Sequence, residues 1–363
     1  MDKPRKTGNL FYDRTATSDD KGRLYFFDNA KFILIFLVVL AHTISSLREN
    51  PFVNTLWAVI NYFHMPALIF ISGFLAKRYI SKSREIKVQR VATYAILYLA
   101  GQVCYYAYRK FVLGQNAAPS LMNPGPALWF LQCLIAWYVM LPVLNYFKPK
   151  HVMIVSILFG LFIGYENSAA GFLSLSRVFV HLPFFMAGYY IKQEHIDKLR
   201  NWKFRMAGGG VFAAVAAISA IFPWTVLGNL MTCNTPYAKI SALAKYVPQA
   251  LQWTSRVWFY GVAAALIVSF LALVPRGKAI FTKLGQETLS VYILHIFLYL
   301  ANRHYKWYLL FASPWGIAAL CAIALALTII FSLKPFTLPF HWLQKIKVRL
   351  KAEDTSRSRI SAP

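Results

Sequence analysis

The sequence predicts an all-α fold, a polytopic bundle of about ten transmembrane helices with both termini in the cytoplasm. Of the 363 residues, 58% are hydrophobic and only 14% are charged, which is too apolar for the surface of a water-soluble protein. The formal net charge of +26 comes from short basic segments between long apolar ones, the pattern that marks the cytoplasmic side of a membrane protein. Because no folded basic domain is left over, we expect no nucleic-acid partner.

Ten apolar segments have roughly the length that a helix needs to cross the hydrocarbon of a bilayer. They are 26–47, 56–76, 91–108, 128–146, 152–165, 174–191, 208–228, 254–274, 288–301 and 314–333. With these spans, one side of the membrane carries 29 Lys and Arg residues and the other carries 7, while 3 lie within the spans. This asymmetry follows the positive-inside rule, so an even number of crossings with both termini inside is favoured.

Three regions follow from this topology. We expect a basic cytoplasmic segment at 1–23, a transmembrane domain at 24–333 and a basic cytoplasmic tail at 334–363. The four cysteines lie far apart, with neither a paired spacing nor a metal-ligand pattern, so no metal site is expected.

Ionisable side chains inside the apolar segments are the first candidates for function, because each costs at least about 2.5 kcal/mol in hydrocarbon. The set comprises Asp28, Lys31, His42, His64, Arg177, His181, Arg256 and His295. Lys31 and His42 are eleven positions apart, which places them on one face of a helix and about 16 Å apart along its axis. Both should therefore face the interior of the bundle. Asp28 precedes Lys31 by three positions and is best explained as its structural ion-pair partner.

The remaining cations and imidazoles predict a polar chamber that opens to the outer side. Arg177 and His181 are four positions apart, share a face of the sixth span and lie at the depth of His42. His64 and Arg256 occupy a similar depth. Each of these side chains alone could be a packing residue, or could extend toward the interface. For His42, the alignment with Lys31 favours a function.

Five short motifs occur in order between about residues 25 and 300. They are 27–31 followed by 38–42, 63–66 with 70–74, 129–131 with Pro142, Arg177 with 183–185 and Gly188, and 290–295. With these motifs the chain resembles the integral-membrane acyltransferase-3 family, most closely its fucose 4-O-acetylase-like branch of sugar acetyltransferases. The family more often has Arg at the position of Lys31, which keeps the charge but offers bidentate binding that Lys lacks.

The resemblance implies an O-acyltransferase in a bacterial cytoplasmic (inner) membrane. Such an enzyme takes an acyl group, usually acetyl, from cytoplasmic acetyl-CoA and transfers it to a hydroxyl of a cell-surface glycan or lipid-linked sugar. Acetyl-CoA is expected as a co-substrate rather than a bound prosthetic group. Coenzyme A carries phosphates, so Arg78 and Arg90, at helix ends beside a basic loop, are candidates to bind it, together with Ser72 of the second-span motif.

The acyl transfer that the resemblance implies suggests catalytic roles for other candidate residues. A neutral imidazole suits proton removal from a sugar hydroxyl, so His42 is the candidate base, although it could instead carry the acetyl group transiently. Lys31 shares its face, and Arg177 or the Tyr292 hydroxyl would stabilise the oxyanion of the tetrahedral intermediate.

Acceptor contacts are expected from the other residues of the chamber, which are His64, Trp129, His181, Arg256 and His295. Trp129 could be a stacking platform for a sugar or an anchor at the membrane interface. His295 could line the channel for the pantetheine arm or hydrogen-bond to Tyr292 across one turn.

Two other functions remain open from sequence. A non-enzymatic exporter or flippase of a polysaccharide could use an aromatic, polar chamber without chemistry. An acyltransferase with a long-chain lipid donor would share the fold and differ in the mass of the group transferred.

Overall fold

The computed structural model describes residues 24–77, 88–221 and 230–346, which contain 13 α-helices and no β-strand. In chain order these helices are α1 Tyr25–Ile44, α2 Pro51–Ala76, α3 Val88–Ala107, α4 Trp129–Leu144, α5 Pro149–Phe162, α6 Leu175–Tyr190, α7 Gln193–Lys198, α8 Trp202–Ile221, α9 Ser241–Tyr246, α10 Thr254–Leu273, α11 Thr288–Tyr305, α12 Pro314–Phe331 and α13 Lys334–Lys345. The predicted all-α class is confirmed for these residues. The predicted segment 1–23, Arg78 and the tail beyond residue 346 lie outside them.

Six helical segments of the described chain are long and apolar enough to cross a membrane. They are Tyr25–Leu47, Pro51–Ala76, Phe172–Tyr190, Trp202–Ile221, Gln249–Leu273 and Pro314–Phe331. Helices α4 and α5 are apolar but shorter, whereas α3 and α11 are long enough but carry more polar side chains. Each of the ten predicted segments overlaps one helix of the set α1–α6, α8 and α10–α12. The number of crossings and the cytoplasmic location of both termini stay predictions.

Burial separates central helices from peripheral ones. In the most apolar 18-residue window of each segment, 72% of residues are buried in α2 and 56% in α1, against 22% in α12 and 11% in α8. Apolar faces that do not meet protein must meet lipid. Helices α1 and α2 therefore form the centre of the bundle, and α8 and α12 lie at its edge.

Two glycines allow α2 and α6 to cross in backbone contact. A β-carbon at Gly73 would overlap the carbonyl oxygen of Phe185, and one at Gly188 would overlap the carbonyl oxygen of Phe70. Small residues at such crossings let membrane helices approach closely. This crossing holds the two helices that carry His64 and Arg177 side by side.

Helix α6 is further fixed by side chains that bond to its backbone. Pro183 lies inside α6 and interrupts its backbone hydrogen bonding, which a membrane helix tolerates when neighbours compensate. The indole Nε1 of Trp137 donates to the carbonyl of Val178 at 2.9 Å, and the Tyr260 hydroxyl donates to the carbonyl of Val180 at 2.9 Å. Helix α6 is thereby attached to both α4 and α10.

The loop between α10 and α11 is attached to the start of α1 through Asn29. Its Nδ2 donates to the carbonyls of Pro275 at 2.9 Å and Gly277 at 2.8 Å, and its Oδ1 accepts a bond of 2.6 Å from Thr282. One turn on, the predicted pair between Asp28 and Lys31 is present, with Oδ1 and Nζ 2.9 Å apart. The predicted ion pair of Asp28 with Lys31 is thus confirmed.

Candidate functional site

A cavity of about 480 Å³ opens at the end of the bundle where α1 ends. Its walls come from α1, α2, α6, α11 and the segment that leads into α4. Six predicted site residues line it, namely His42, His64, Trp129, Arg177, His181 and Tyr292. We call this space the His42 cavity. Four helices and the start of α4 therefore bring together side chains that are distant in the sequence.

His42 lies in the last turn of α1 with its imidazole partly exposed to the cavity. The centre of its ring lies 4.8 Å from that of Tyr299 and 5.2 Å from that of His295. No hydrogen bond to a ring nitrogen of His42 occurs in the described part of the chain. The imidazole is therefore positioned to bond to a group that enters the cavity.

The imidazoles of His64 and His295 are each held by their own helix. The Nδ1 of His64 lies 2.7 Å from the carbonyl of Ile60, and that of His295 lies 2.9 Å from the carbonyl of Val291. Because a carbonyl only accepts, Nδ1 carries the proton in both rings and Nε2 is left as an acceptor. In His295 this Nε2 is buried and makes no hydrogen bond within the described residues.

Of the two alternatives for His295, a hydrogen bond to the Tyr292 hydroxyl is not formed. The Tyr292 hydroxyl donates instead to the carbonyl of Ala127. Ala127 has a φ of 64°, a left-handed conformation that is uncommon for a residue with a β-carbon. This turn directs the Ala127 carbonyl at Tyr292 just before α4 begins. Since the hydroxyl proton is already used, Arg177 is the better of the two candidates to stabilise an oxyanion.

Arg177, His181 and Trp129 form one packed group on a wall of the His42 cavity. The guanidinium carbon of Arg177 lies 4.8 Å from the centre of the Trp129 ring, and its Nε donates to the carbonyl of Thr232 at 3.1 Å. The imidazole of His181 stacks on Trp129, with ring centres 5.6 Å apart and planes 24° apart. Trp129 therefore lines the cavity as part of a cation–π stack rather than as a free platform.

A second cavity of about 260 Å³ lies toward the start of α1. Lys31, Ser72, Arg90 and Tyr292 line it, so it contains the described members of the predicted coenzyme A set. We call it the Lys31 cavity. The Ser72 hydroxyl donates to the carbonyl of Leu68 at 2.8 Å, and the Arg90 guanidinium carbon lies 5.9 Å from the centre of the Tyr94 ring. Tyr292 lines both cavities and so stands at their junction.

Arg256 is placed differently from the other predicted site residues. It is 0% exposed, and its guanidinium carbon lies 5.7 Å from the centre of the Tyr237 ring. Burial raises the pKa of Tyr237 to about 12, although Arg256 opposes this shift. Arg256 does not line the His42 cavity. Its contact with a substrate stays a prediction, and its position indicates a structural role beneath the cavity wall.

Among the lining residues of the His42 cavity that are missing from the predicted set are Tyr299, Arg48 and Arg303. Tyr299 follows Tyr292 by seven positions and His295 by four, so helical periodicity places all three on one face of α11. This signal was available in the sequence. Arg48 and Arg303 lie at helix ends, where an interfacial position is the usual explanation of a basic residue.

No cluster of three or more His, Cys, Asp or Glu side chains that could hold a metal ion is found within the described ranges. The polar groups that line the two cavities are mostly cations, imidazoles, hydroxyls and amides, with one carboxylate, Glu49, in the His42 cavity. Such groups suit the recognition of anions and of hydroxyl or carbonyl groups.

Comparison with known proteins identifies the family. A search of curated proteins and a search of solved structures gave no match. The family model described as an acyltransferase domain, Acyl_transf_3, matches residues 24–333. This match covers most of the chain, including α1 to α12 and all lining residues of the His42 cavity. Together with the apolar helices, it identifies an integral membrane protein, and the chain belongs to the acyltransferase-3 family of membrane acyltransferases.

Proposed function

We propose that this acyltransferase moves an acetyl group from cytoplasmic acetyl-CoA to a hydroxyl of a glycan or lipid-linked sugar. The donor enters the Lys31 cavity, and the acceptor enters the His42 cavity from the opposite side of the membrane. The observation that carries this proposal is that both cavities are lined by Tyr292. One side chain therefore separates a site on the Lys31 side from a site on the His42 side.

The Lys31 cavity suits the donor by size and charge. Its volume of about 260 Å³ is just below the ~300–1,000 Å³ of typical ligand pockets, which fits a narrow pantetheine arm better than a whole nucleotide. Arg90 lies at the start of α3, where a guanidinium would bind the phosphates of coenzyme A. In this arrangement the nucleotide stays at the cavity mouth and the thioester points toward Tyr292.

The His42 cavity suits the acceptor and the chemistry. His42 removes the proton from the sugar hydroxyl, whose oxygen attacks the thioester carbonyl. The negative charge that forms on the carbonyl oxygen is stabilised by the Arg177 guanidinium. The C–S bond then breaks, and the coenzyme A thiolate takes the proton from His42.

A second route uses the same residues. His42 attacks the thioester and carries the acetyl group before the sugar hydroxyl receives it. Incubation of the protein with acetyl-CoA alone separates the two routes. A radiolabelled acetyl group on His42 supports the carrier route, and its absence during turnover supports the direct route.

The proposed location is the cytoplasmic membrane of a bacterium, and the proposed branch of the family is the fucose 4-O-acetylase-like sugar acetyltransferases. The distribution of Lys and Arg supports the orientation, because it places the Lys31 end of α1 on the cytoplasmic side. Cytoplasmic acetyl-CoA is then on the same side of the membrane as the Lys31 cavity. The motif order in the sequence supports the branch.

The experiment that tests this function is comparative mass spectrometry of surface glycans and lipid-linked sugars from cells with and without the gene. We expect an acetyl-sized mass difference that depends on the gene. A larger acyl mass would identify a long-chain donor and contradict the acetyl assignment. Loss of the glycan from the surface, with no change in its acylation, would identify an exporter instead.

A further inference from the structure

An apolar pocket of about 390 Å³ adjoins the His42 cavity. It lies between the end of α1, α11, the turn Trp307–Phe311 and α12. His42, His295 and Tyr299 form its inner wall, and most of the other lining side chains are apolar, such as Leu310, Ile323 and Leu327. His42 and Tyr299 line both spaces, so the pocket reaches the imidazole that the proposed reaction uses.

The pocket opens to the side of the bundle rather than along it. Leu310 is 79% exposed and Ile323 is 38% exposed, and α12 belongs to the edge of the bundle. In a membrane, such apolar exposed side chains face lipid. A hydrocarbon chain can therefore enter this pocket from the bilayer without passing through water.

The adjoining His42 cavity is lined at its polar end by two arginines, Arg48 and Arg303, and by one carboxylate, Glu49. The Nη1 of Arg303 donates to the Tyr299 hydroxyl at 3.1 Å, and the guanidinium carbon of Arg48 lies 4.6 Å from the centre of the Trp57 ring. Both arginines line the His42 cavity. Burial lowers the pKa of Arg48, which Tyr299 opposes, and the nearby charge of Arg303 lowers it further. An anion between the two guanidinium groups would relieve this repulsion.

We propose that the acceptor is an amphiphile, a sugar joined through phosphate to a long hydrocarbon chain, which enters laterally from the leaflet at the His42 end. The chain occupies the apolar pocket, the phosphate binds between Arg48 and Arg303, and the sugar hydroxyl reaches His42. This inference rests on the proposed function and narrows its acceptor to the lipid-linked class.

The acyl chain of a donor is a less suitable occupant of this pocket. Lys31, Ser72 and Arg90, which line the proposed donor cavity, do not line the apolar pocket. A water-soluble glycan would have no use for an apolar space beside the reacting imidazole. The combination of a hydrocarbon pocket, paired cations and a polar cavity matches the three parts of a lipid-linked sugar.

Photo-crosslinking of the full-length protein in lipid nanodiscs tests the pocket. The probe is a polyprenyl phosphate with a diazirine in its chain, and peptide mass spectrometry locates the adducts. We expect adducts on the turn Trp307–Phe311 and on α12. Ile323→Trp fills the pocket and should lower the adduct yield at least about tenfold. Leu325→Trp is the control, because Leu325 is 41% exposed on the same helix and does not line the pocket.

The phosphate site is tested with a second probe of the same chain that ends in an alcohol. The protein should prefer the phosphate probe, and Arg303→Gln should lower this preference about tenfold, as expected for loss of a charged hydrogen bond. Lys245→Gln removes an exposed charge that does not line the cavity and should leave the preference unchanged. Equal preference in Arg303→Gln and the unmodified protein would overturn the phosphate assignment.

Two results would overturn the lipid pocket. One is an adduct yield in Ile323→Trp equal to that of Leu325→Trp. The other is stronger competition by palmitoyl-CoA than by unlabelled polyprenyl phosphate, which would assign the pocket to an acyl donor.

Failure of this inference is distinguishable from failure of the proposed function. His42→Gln should keep the pocket adducts and lose acetyl transfer. Pocket adducts in a protein that never transfers acetyl would leave the lipid site standing and refute the proposed function. Acetyl transfer to sugars without any pocket adduct would refute the lipid site alone.

Discussion

The two cavities that meet at Tyr292 hold their charges in different ways. In the Lys31 cavity, the ammonium of Lys31 is neutralised by Asp28 at 2.9 Å. In the His42 cavity, Arg177 packs on the Trp129 ring and bonds to a backbone carbonyl, and the described residues form no salt bridge with it. A cation without a counterion can stabilise a negative charge that forms during a reaction. The comparison therefore supports the proposal that the chemistry takes place in the His42 cavity and that the Lys31 cavity binds and positions the donor.

The largest expected effect on stability comes from breaking the ion pair between Asp28 and Lys31. Lys31→Met removes the ammonium that faces Asp28, whose side chain is 2% exposed, and should destabilise the protein by about 3 kcal/mol, the low end for a buried pair. Thermal unfolding of the purified protein measures this loss. In the double variant Asp28→Asn/Lys31→Met stability should largely return, whereas acetyl transfer should stay low because Lys31 lines the donor cavity. Recovery of transfer along with stability would assign Lys31 a structural role only.

Loss of the Arg177 charge in the His42 cavity should lower kcat rather than weaken binding of acetyl-CoA. Arg177→Met should lower kcat by about 10²–10³-fold, the range for loss of one oxyanion donor, with little change in the KM for acetyl-CoA. Steady-state kinetics measures both constants. Arg205→Met removes an exposed arginine at the start of α8 and serves as the matched control. An increase in KM alone would move Arg177 from the chemistry to binding.

Loss of a cation from the Lys31 cavity should raise the KM for acetyl-CoA and leave kcat unchanged. Arg90→Ala should raise the KM for acetyl-CoA about tenfold through loss of a charged hydrogen bond to phosphate, with kcat unchanged. Lys192→Ala, at a side chain that is 74% exposed on the same predicted face, should alter neither constant. A KM for Arg90→Ala equal to that of the control would remove Arg90 from the donor site.

A substitution at the crossing of α2 and α6 should have the smallest of the predicted effects, a change in stability. Gly73→Ala forces these backbones apart and should destabilise the protein by about 1–3 kcal/mol. Gly209→Ala, in α8 with open space around the glycine, should stabilise it by about 0.5–1 kcal/mol. Thermal unfolding of the two variants should therefore shift in opposite directions. Equal shifts would contradict the backbone contact.

What the sequence could predict was the geometry within single helices. The period of the α-helix placed Lys31 and His42 on one face, and they line adjoining cavities in the structure. The same rule placed Arg177 and His181 together, and both contact Trp129. These relations depend on local backbone geometry alone.

Relations between helices could not be predicted in the same way. A buried Arg256 and a cavity-facing Arg177 have the same appearance in sequence, because only helix packing decides which one reaches open space. The turn at Ala127, which uses the Tyr292 hydroxyl, joins residues 165 positions apart. The apolar pocket beside His42 likewise depends on how α1, α11 and α12 diverge.

The role of His42 is tested most directly by single-turnover acetyl transfer with purified full-length protein, acetyl-CoA and lipids extracted from the producing cells. His42→Gln should slow transfer by about 10²–10⁴-fold, the range for loss of a general base, while acetyl-CoA binding is unchanged. His151→Gln, at an exposed histidine on α5, should transfer at the rate of the unmodified protein. Transfer by His42→Gln at the rate of His151→Gln would contradict the account.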